Sequence, residues 1–250
     1  MLRGMFEMFM LSWHAFPLLM AQLSAGTRLP AFPPLPTAVV TAFVVAAFAA
    51  AGAVAGWLAR CVLRRLPRGA VVPPGWCEVG VAALWSAVAV RAVDGLPLWW
   101  SVVPLVLGWL AVPLAACDAL AGRLPDALTL PVYPAAALVL VLASCWGDAP
   151  GLLVRAPLGT ALFAGAYSLV RLLRPVAMGC GDVKLAGGLG AVVGAVSLSA
   201  VLWSIFAAVL TLVVAAAARA RVVAHGPAML APAWFVTASA SGPALHTGFG

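Results

Sequence analysis

Apolar runs close to twenty residues long, broken by prolines, glycines and isolated charges, follow one another along almost the whole of this 250-residue chain. A soluble core cannot absorb so many. Crossing the hydrocarbon of a bilayer takes a helix of about 20 mostly apolar residues, whose backbone polar groups pair within the segment itself. The composition removes the alternatives. Hydrophobic residues make up 65% and charged residues 8%, with a mean hydropathy of +1.12. That is too little charge to clothe a water-soluble surface and too much hydrophobicity for a disordered chain. The expected fold is all-α, a polytopic membrane helix bundle of eight to nine transmembrane helices.

Eight segments follow from the pattern, at roughly 38–59, 79–93, 98–117, 128–146, 152–173, 183–197, 199–218 and 227–241. A ninth, at 5–24, contains Glu7, His14 and Pro17 and reads equally as a spanning helix, an interfacial helix or a signal-like leader. Residues 1–36 thus form an uncertain hydrophobic segment ending in a Pro-rich linker (Thr27–Pro36), residues 37–242 one transmembrane domain, and residues 243–250 a short tail expected to fray.

The formal net charge of +7 comes from thirteen arginines and Lys184 against seven acids. Ten of the fourteen cations fall in four clusters: Arg60, Arg64, Arg65 and Arg68; Arg123; Arg171, Arg174 and Lys184; Arg219 and Arg221. These clusters occupy alternate ends of successive helices, so they share one face. The positive-inside rule makes that face cytoplasmic, in a multi-pass protein of the cell membrane. The other loops carry Asp94 and Asp148, with Trp99, Trp100 and Trp146 beside them as an outer aromatic belt would be. No large basic face exists for a nucleic-acid partner. The cysteines Cys61, Cys77, Cys117, Cys145 and Cys180 contain no CxxC pair and read as small buried hydrophobes, so neither a metal site nor a cofactor is expected.

Acids near a membrane are costly and often functional. Asp94 and Asp148 are explained by solvation, and Glu78 by its place at a helix start, where negative charge meets the favourable end of the dipole. Asp118, Asp126 and Asp182 remain, all at the cytoplasmic edge. Asp118 closes a helix, where a carboxylate meets the unfavourable end of the dipole and needs compensation. Pro125 turns the chain, and Asp126 is placed to cap the next helix. Asp182 follows Gly179 and Gly181 and opens a helix on which Asp182, Ala186, Gly190 and Gly194 form one stripe. Small residues at that spacing let a neighbouring backbone come close in lipid. Lys184, two positions on, reads first as a side chain snorkelling to the headgroups.

The set Asp118…Pro125-Asp126-Ala127-Leu128-Thr129 and Gly179-Cys180-Gly181-Asp182-Val183-Lys184-Leu185 resembles the two signature motifs of prepilin peptidases, or type IV leader peptidases, membrane aspartic proteases of the GxGD type. His225-Gly226-Pro227 is more loosely similar to the Pro-Phe-Gly-Pro element that opens the last helix of that family. The resemblance covers roughly residues 98–240. It implies that Asp118 and Asp182 are the catalytic pair, with Gly179, Gly181, Lys184, Pro125 and Asp126 as supporting motif residues. It implies as substrate a prepilin or pseudopilin, with a short basic leader and a hydrophobic helix, and a pilus or secretion machine as possible further partner. Many members carry an N-terminal zinc domain with two CxxC pairs and also N-methylate the pilin. With no CxxC here, the expectation is the short peptidase-only form without methyltransferase activity.

Two carboxylates can hydrolyse an amide when one is ionised and the other protonated. On the dipole argument alone, Asp182 at a helix N-terminus is expected to be ionised and Asp118 to hold the proton. Two rivals remain: a proton-coupled membrane transporter, since paired acids at helix breaks also relay protons, and a non-catalytic membrane subunit of a pilus or secretion system.

Overall fold

The computed structural model describes residues 37–66, 69–122, 124, 126–173, 179–217 and 225–247. The possible helix at 5–24, the Pro-rich linker, Pro125, and Arg68, Arg123, Arg174, Arg219 and Arg221 lie outside the described residues. Within them, every regular element is a helix: α1 Thr37–Arg65, α2 Trp76–Val93, α3 Leu98–Ala121, α4 Asp126–Thr129, α5 Val132–Trp146, α6 Gly151–Leu173, α7 Cys180–Val196, α8 Leu198–Ala217, α9 His225–Ala238 and α10 Gly242–Thr247. All eight expected segments appear as helices. Five stretches are long and apolar enough to cross a membrane: α1, α2, α3, α4 with α5, and α6. The others are shorter, and α9, with 14 residues, spans about 21 Å, less than a hydrocarbon layer of ~30 Å. Length and composition therefore support five spans of the eight to nine expected.

Proline and glycine set the boundaries. Helix α3 runs past its expected end and stops where Gly122 adopts the left-handed conformation (φ 58°) and donates its N–H to Asp118 O at 2.9 Å. Asp118 therefore sits inside the last turn of α3. The segment expected as one helix from Leu128 is divided at Pro131, which has no N–H to continue the ladder, into α4 and α5. Helix α8 starts from extended Ser197, whose hydroxyl accepts the Ala200 N–H at 3.0 Å.

Helix α7 is the centre of the bundle. It packs on α5, α6, α8 and α9, and most extensively on α6. Its interior residues Leu185 to Gly190 and Val192 to Val196 are all buried. In lipid the hydrophobic effect gives helices no reason to associate, so close packing must do it. The stripe expected on α7 supplies that packing, and Gly159 of α6 faces it. A Cβ on Gly194 would lie 2.6 Å from Gly159 Cα, and one on Gly190 would run into Gly159 O. The two backbones touch because neither carries a side chain there.

Two further expectations change. Trp100 is fully buried, with its indole N–H donated to Thr237 O at 2.8 Å, so it is a core residue and no part of an aromatic belt. The tail expected to fray forms α10, with Leu245 fully buried and its carbonyl accepting Arg155 Nη2 at 2.5 Å. Arg155 also donates to Ala195 O at 3.1 Å, and Arg91 to Ala238 O at 3.4 Å. Arg91 and Arg155, at the end opposite the basic clusters, are thus spent on carbonyls at or near helix C-termini, where cations are favoured.

Gly159→Val should separate α6 from α7 and lower stability by roughly 1–3 kcal/mol or more. Gly165→Ala, on the same helix but with nothing within 4 Å of the new methyl, should be tolerated. Thermal unfolding midpoints in detergent check the contrast; equal midpoints for the two variants would remove the seam from the account of stability.

Candidate active site

Three helix ends meet at one end of the bundle: the last turn of α3, the first turn of α7 and the first turn of α9. Asp118 is buried at 8% exposure, and its Oδ2 accepts the Gly226 N–H at 2.6 Å. Gly226 is the second residue of α9, so the carboxylate meets one of the unpaired N–H groups at the positive end of that helix. This is the compensation that an acid at the end of α3 requires. A Cβ at Gly226 would stand 3.1 Å from Asp118 Oδ2, so glycine is what lets the N–H reach the acid.

Asp182 lies in the first turn of α7, which starts at Cys180 with Gly179 as its cap. Its Oδ2 accepts the Gly179 N–H at 3.1 Å. Glu78 makes the same return contact to Gly75 N at 3.0 Å, and also pairs with Arg60 Nε at 2.6 Å. Gly181 permits a different close approach: a Cβ there would be 2.9 Å from Leu124 Cβ, in the segment joining Asp118 to Asp126. The glycines flanking Cys180 therefore serve proximity, since Gly179 keeps ordinary extended backbone angles (φ −70°, ψ 152°).

Asp182 is within electrostatic reach of Asp118 and of His225. Burial raises its carboxyl above the ordinary carboxylate range, and the neighbouring Asp118 pushes the same way; His225 and the Gly179 N–H oppose this without reversing it. The helix dipole alone favours the charged form of Asp182, whereas burial among the other helices favours the neutral form. The dipole argument considered only each acid's own helix, while α9 supplies Asp118 with a donor from elsewhere.

The remaining motif residues form a brace beside the acids. Lys184 Nζ pairs with Asp126 Oδ1 at 2.7 Å, linking the two sequence motifs through an exposed ion pair. Asp126 opens α4 as expected, but its carboxylate reaches α7. Tyr133 of α5 donates its hydroxyl to Lys184 O at 2.7 Å, and its hydroxyl occupies the space a Cβ on Gly187 would need. Pro125 lies outside the described residues.

Two site residues were not found from sequence. His225 entered only through the loose likeness of His225-Gly226-Pro227 to the element opening the last helix, with no role of its own; its ring stands edge-on to Tyr167 with centroids 5.9 Å apart. Tyr167, from α6, is buried and close enough to Asp182 for the two groups to interact electrostatically. The chain has 2 tyrosines, and both reach this corner.

Residues 105–216 match the model of the type IV leader peptidase family. Over that stretch, which is less than half of the chain, the sequence is similar to the type IV leader peptidase family. The match includes Asp118, Asp126, Asp182 and Lys184 and ends before His225 and Gly226. That similarity is to a family of peptidases, generally of the aspartic type. No curated protein and no solved structure matches the chain.

Gly226→Ala should push α9 away from Asp118 and lower turnover roughly ten- to a hundredfold, the scale of a misplaced reacting group. Initial rates at saturating substrate, with folding followed by the unfolding midpoint, check it; an alanine variant as fast as the parent would mean that the contact does not govern the acid's position.

Proposed function

We propose that this protein is a membrane-embedded aspartic endopeptidase that removes the N-terminal leader of prepilin-like proteins at the cytoplasmic face of the cell membrane, with Asp118 and Asp182 as its catalytic pair. The observation that carries the reading is the meeting of these two acids, 64 positions apart in sequence (182 − 118), at adjoining helix ends within electrostatic reach of each other. Asp118, held by the Gly226 N–H, acts as the ionised carboxylate that takes a proton from water. Asp182 carries the other proton and presents it to the scissile carbonyl. Their partial burial keeps bulk water from screening that exchange.

The cytoplasmic assignment is supported by charge. Arg60, Arg64, Arg65, Arg171 and Lys184 lie at the same helix ends as the two acids. At the opposite end, Arg91 and Arg155 are engaged by carbonyls. A substrate with a short basic leader and a hydrophobic helix suits this arrangement. Its helix can remain in lipid while the cleavage site emerges at the edge where the acids lie. The short form acts without a cofactor on this reading, and association with a pilus or secretion machine follows from the substrate class.

The test is cleavage in detergent of a synthetic substrate with a short basic leader ending in glycine ahead of a hydrophobic helix. Asp118→Asn and Asp182→Asn should each lower the rate by at least ~10²–10⁴-fold. Cleavage persisting in both would end the aspartic-peptidase reading, and loss of proton-coupled uptake instead would favour transport.

Asp182 also predicts a pH dependence. Because its folded-state carboxyl titrates above the unfolded one, the folded protein loses stability as pH rises through and above the unfolded value of about 4. Asp182→Asn should therefore unfold at the same temperature as the parent or higher at pH 7, while being inactive. The alkaline limb of the parent's pH–rate profile should lie above the ordinary carboxylate range, as Asp182 gives up its proton. A destabilised Asp182→Asn at neutral pH would contradict the placement of that proton.

A further inference from the structure

Tyr167 is 3% exposed, yet its hydroxyl oxygen has no hydrogen-bond partner among the described residues. Leaving a buried hydroxyl unpaired costs about 1–3 kcal/mol, and a native structure keeps such a group for a reason. The chain satisfies its other tyrosine, since Tyr133 donates to Lys184 O at 2.7 Å. The unsatisfied one stands beside the acids. Its ring lies between Phe163, with centroids 5.3 Å apart, and the edge of His225, at 5.9 Å and 82°. Phenylalanine would fill that ring site without the cost. Among the described residues, Ser204 Oγ is the other buried side-chain atom of this kind, on α8, a helix that carries no acid.

We propose that Tyr167 is a catalytic hydrogen-bond donor whose acceptor arrives with the substrate: its hydroxyl is held unpaired so as to meet the scissile carbonyl oxygen as that oxygen gains negative charge. This rests on the reading of Asp118 and Asp182 as the catalytic pair. The ionised carboxylate removes a proton from water, and the water oxygen bonds to the carbonyl carbon. The C=O π pair moves to oxygen, which takes the proton of the protonated carboxyl and a hydrogen bond from Tyr167. The carboxyl newly protonated by water gives its proton to the leaving nitrogen as the C–N bond breaks, while an oxygen lone pair re-forms C=O and that hydroxyl returns its proton to the other carboxylate, restoring the starting pair. Tyr167 keeps its proton throughout. A donor already aligned in a protected site stabilises the transition state more than the ground state, so its loss appears in turnover.

The experiment compares Tyr167→Phe, Ser204→Ala, Asp118→Asn and Asp182→Asn in the full-length protein in detergent, on the same synthetic substrate. Tyr167→Phe should lower kcat by ~10²-fold or more with KM within about twofold, the pattern of an interaction made only in the transition state. Its unfolding midpoint should equal or exceed the parent's, because an unsatisfied hydroxyl has been removed. Ser204→Ala, which loses the same kind of hydroxyl, should keep parental kinetics. The proposal is overturned if Tyr167→Phe cleaves at the parental rate, changes only KM, or loses activity in proportion to lost folded protein. Inactive Asp variants beside a fully active Tyr167→Phe would defeat the tyrosine's role alone. Active Asp variants would defeat the dyad and, with it, this inference.

Discussion

Backbone groups left unpaired at helix ends govern where this chain can keep polar side chains. In an apolar setting each such N–H or C=O needs a partner, and here the partners are the few polar residues the chain has. Gly226 N–H meets Asp118, Gly179 N–H meets Asp182 and Gly75 N–H meets Glu78. At the other end Arg155 serves Ala195 and Leu245, and Arg91 serves Ala238. These acids meet helix starts and these arginines meet helix ends, as helix dipoles favour. Asp118 departs from that pattern on its own helix and conforms to it on a neighbour's.

The glycine seam turns that local rule into a site. With Gly159 against Gly190 and Gly194, α6 and α7 lie backbone to backbone, and the same face of α6 carries Phe163 and Tyr167 toward the first turn of α7. Helix α9 packs on both α3 and α7 and delivers His225 and Gly226 between them. One close contact between helices and one helix start therefore bring together residues from α3, α6, α7 and α9. The pair of Lys184 with Asp126 is exposed on both sides, so its contribution is to link two segments rather than to hold the fold.

Much of this was legible in the residues. The eight apolar segments and the single stripe of small residues on α7 followed from spacing, and helix electrostatics singled out Asp118, Asp126 and Asp182 among seven acids. The errors share a cause. Trp100 was assigned to the membrane surface from its neighbours in sequence, whereas its indole is consumed by a carbonyl on α9. The tail was expected to fray because it is short and polar at its end, whereas Arg155 from α6 holds it. Pro131 was passed over because the apolar run continues through it, although its missing N–H ends one helix and starts another.

The sequence by itself determined that the chain is helical and membrane-embedded, which residues face close neighbours and which acids stand at helix ends, because those properties depend on spacing along one helix and on the absence of water to satisfy a backbone. Only the tertiary structure decided which helix end serves which acid. That Gly226 reaches Asp118, that Lys184 reaches Asp126, and that the Tyr167 hydroxyl, near Asp182, has no hydrogen-bond partner among the described residues are facts about helices meeting at separations the chain does not encode locally. The same holds for the electrostatics of Asp182: an acid's own dipole is written in its own helix, whereas its burial and its charged neighbours come from the others.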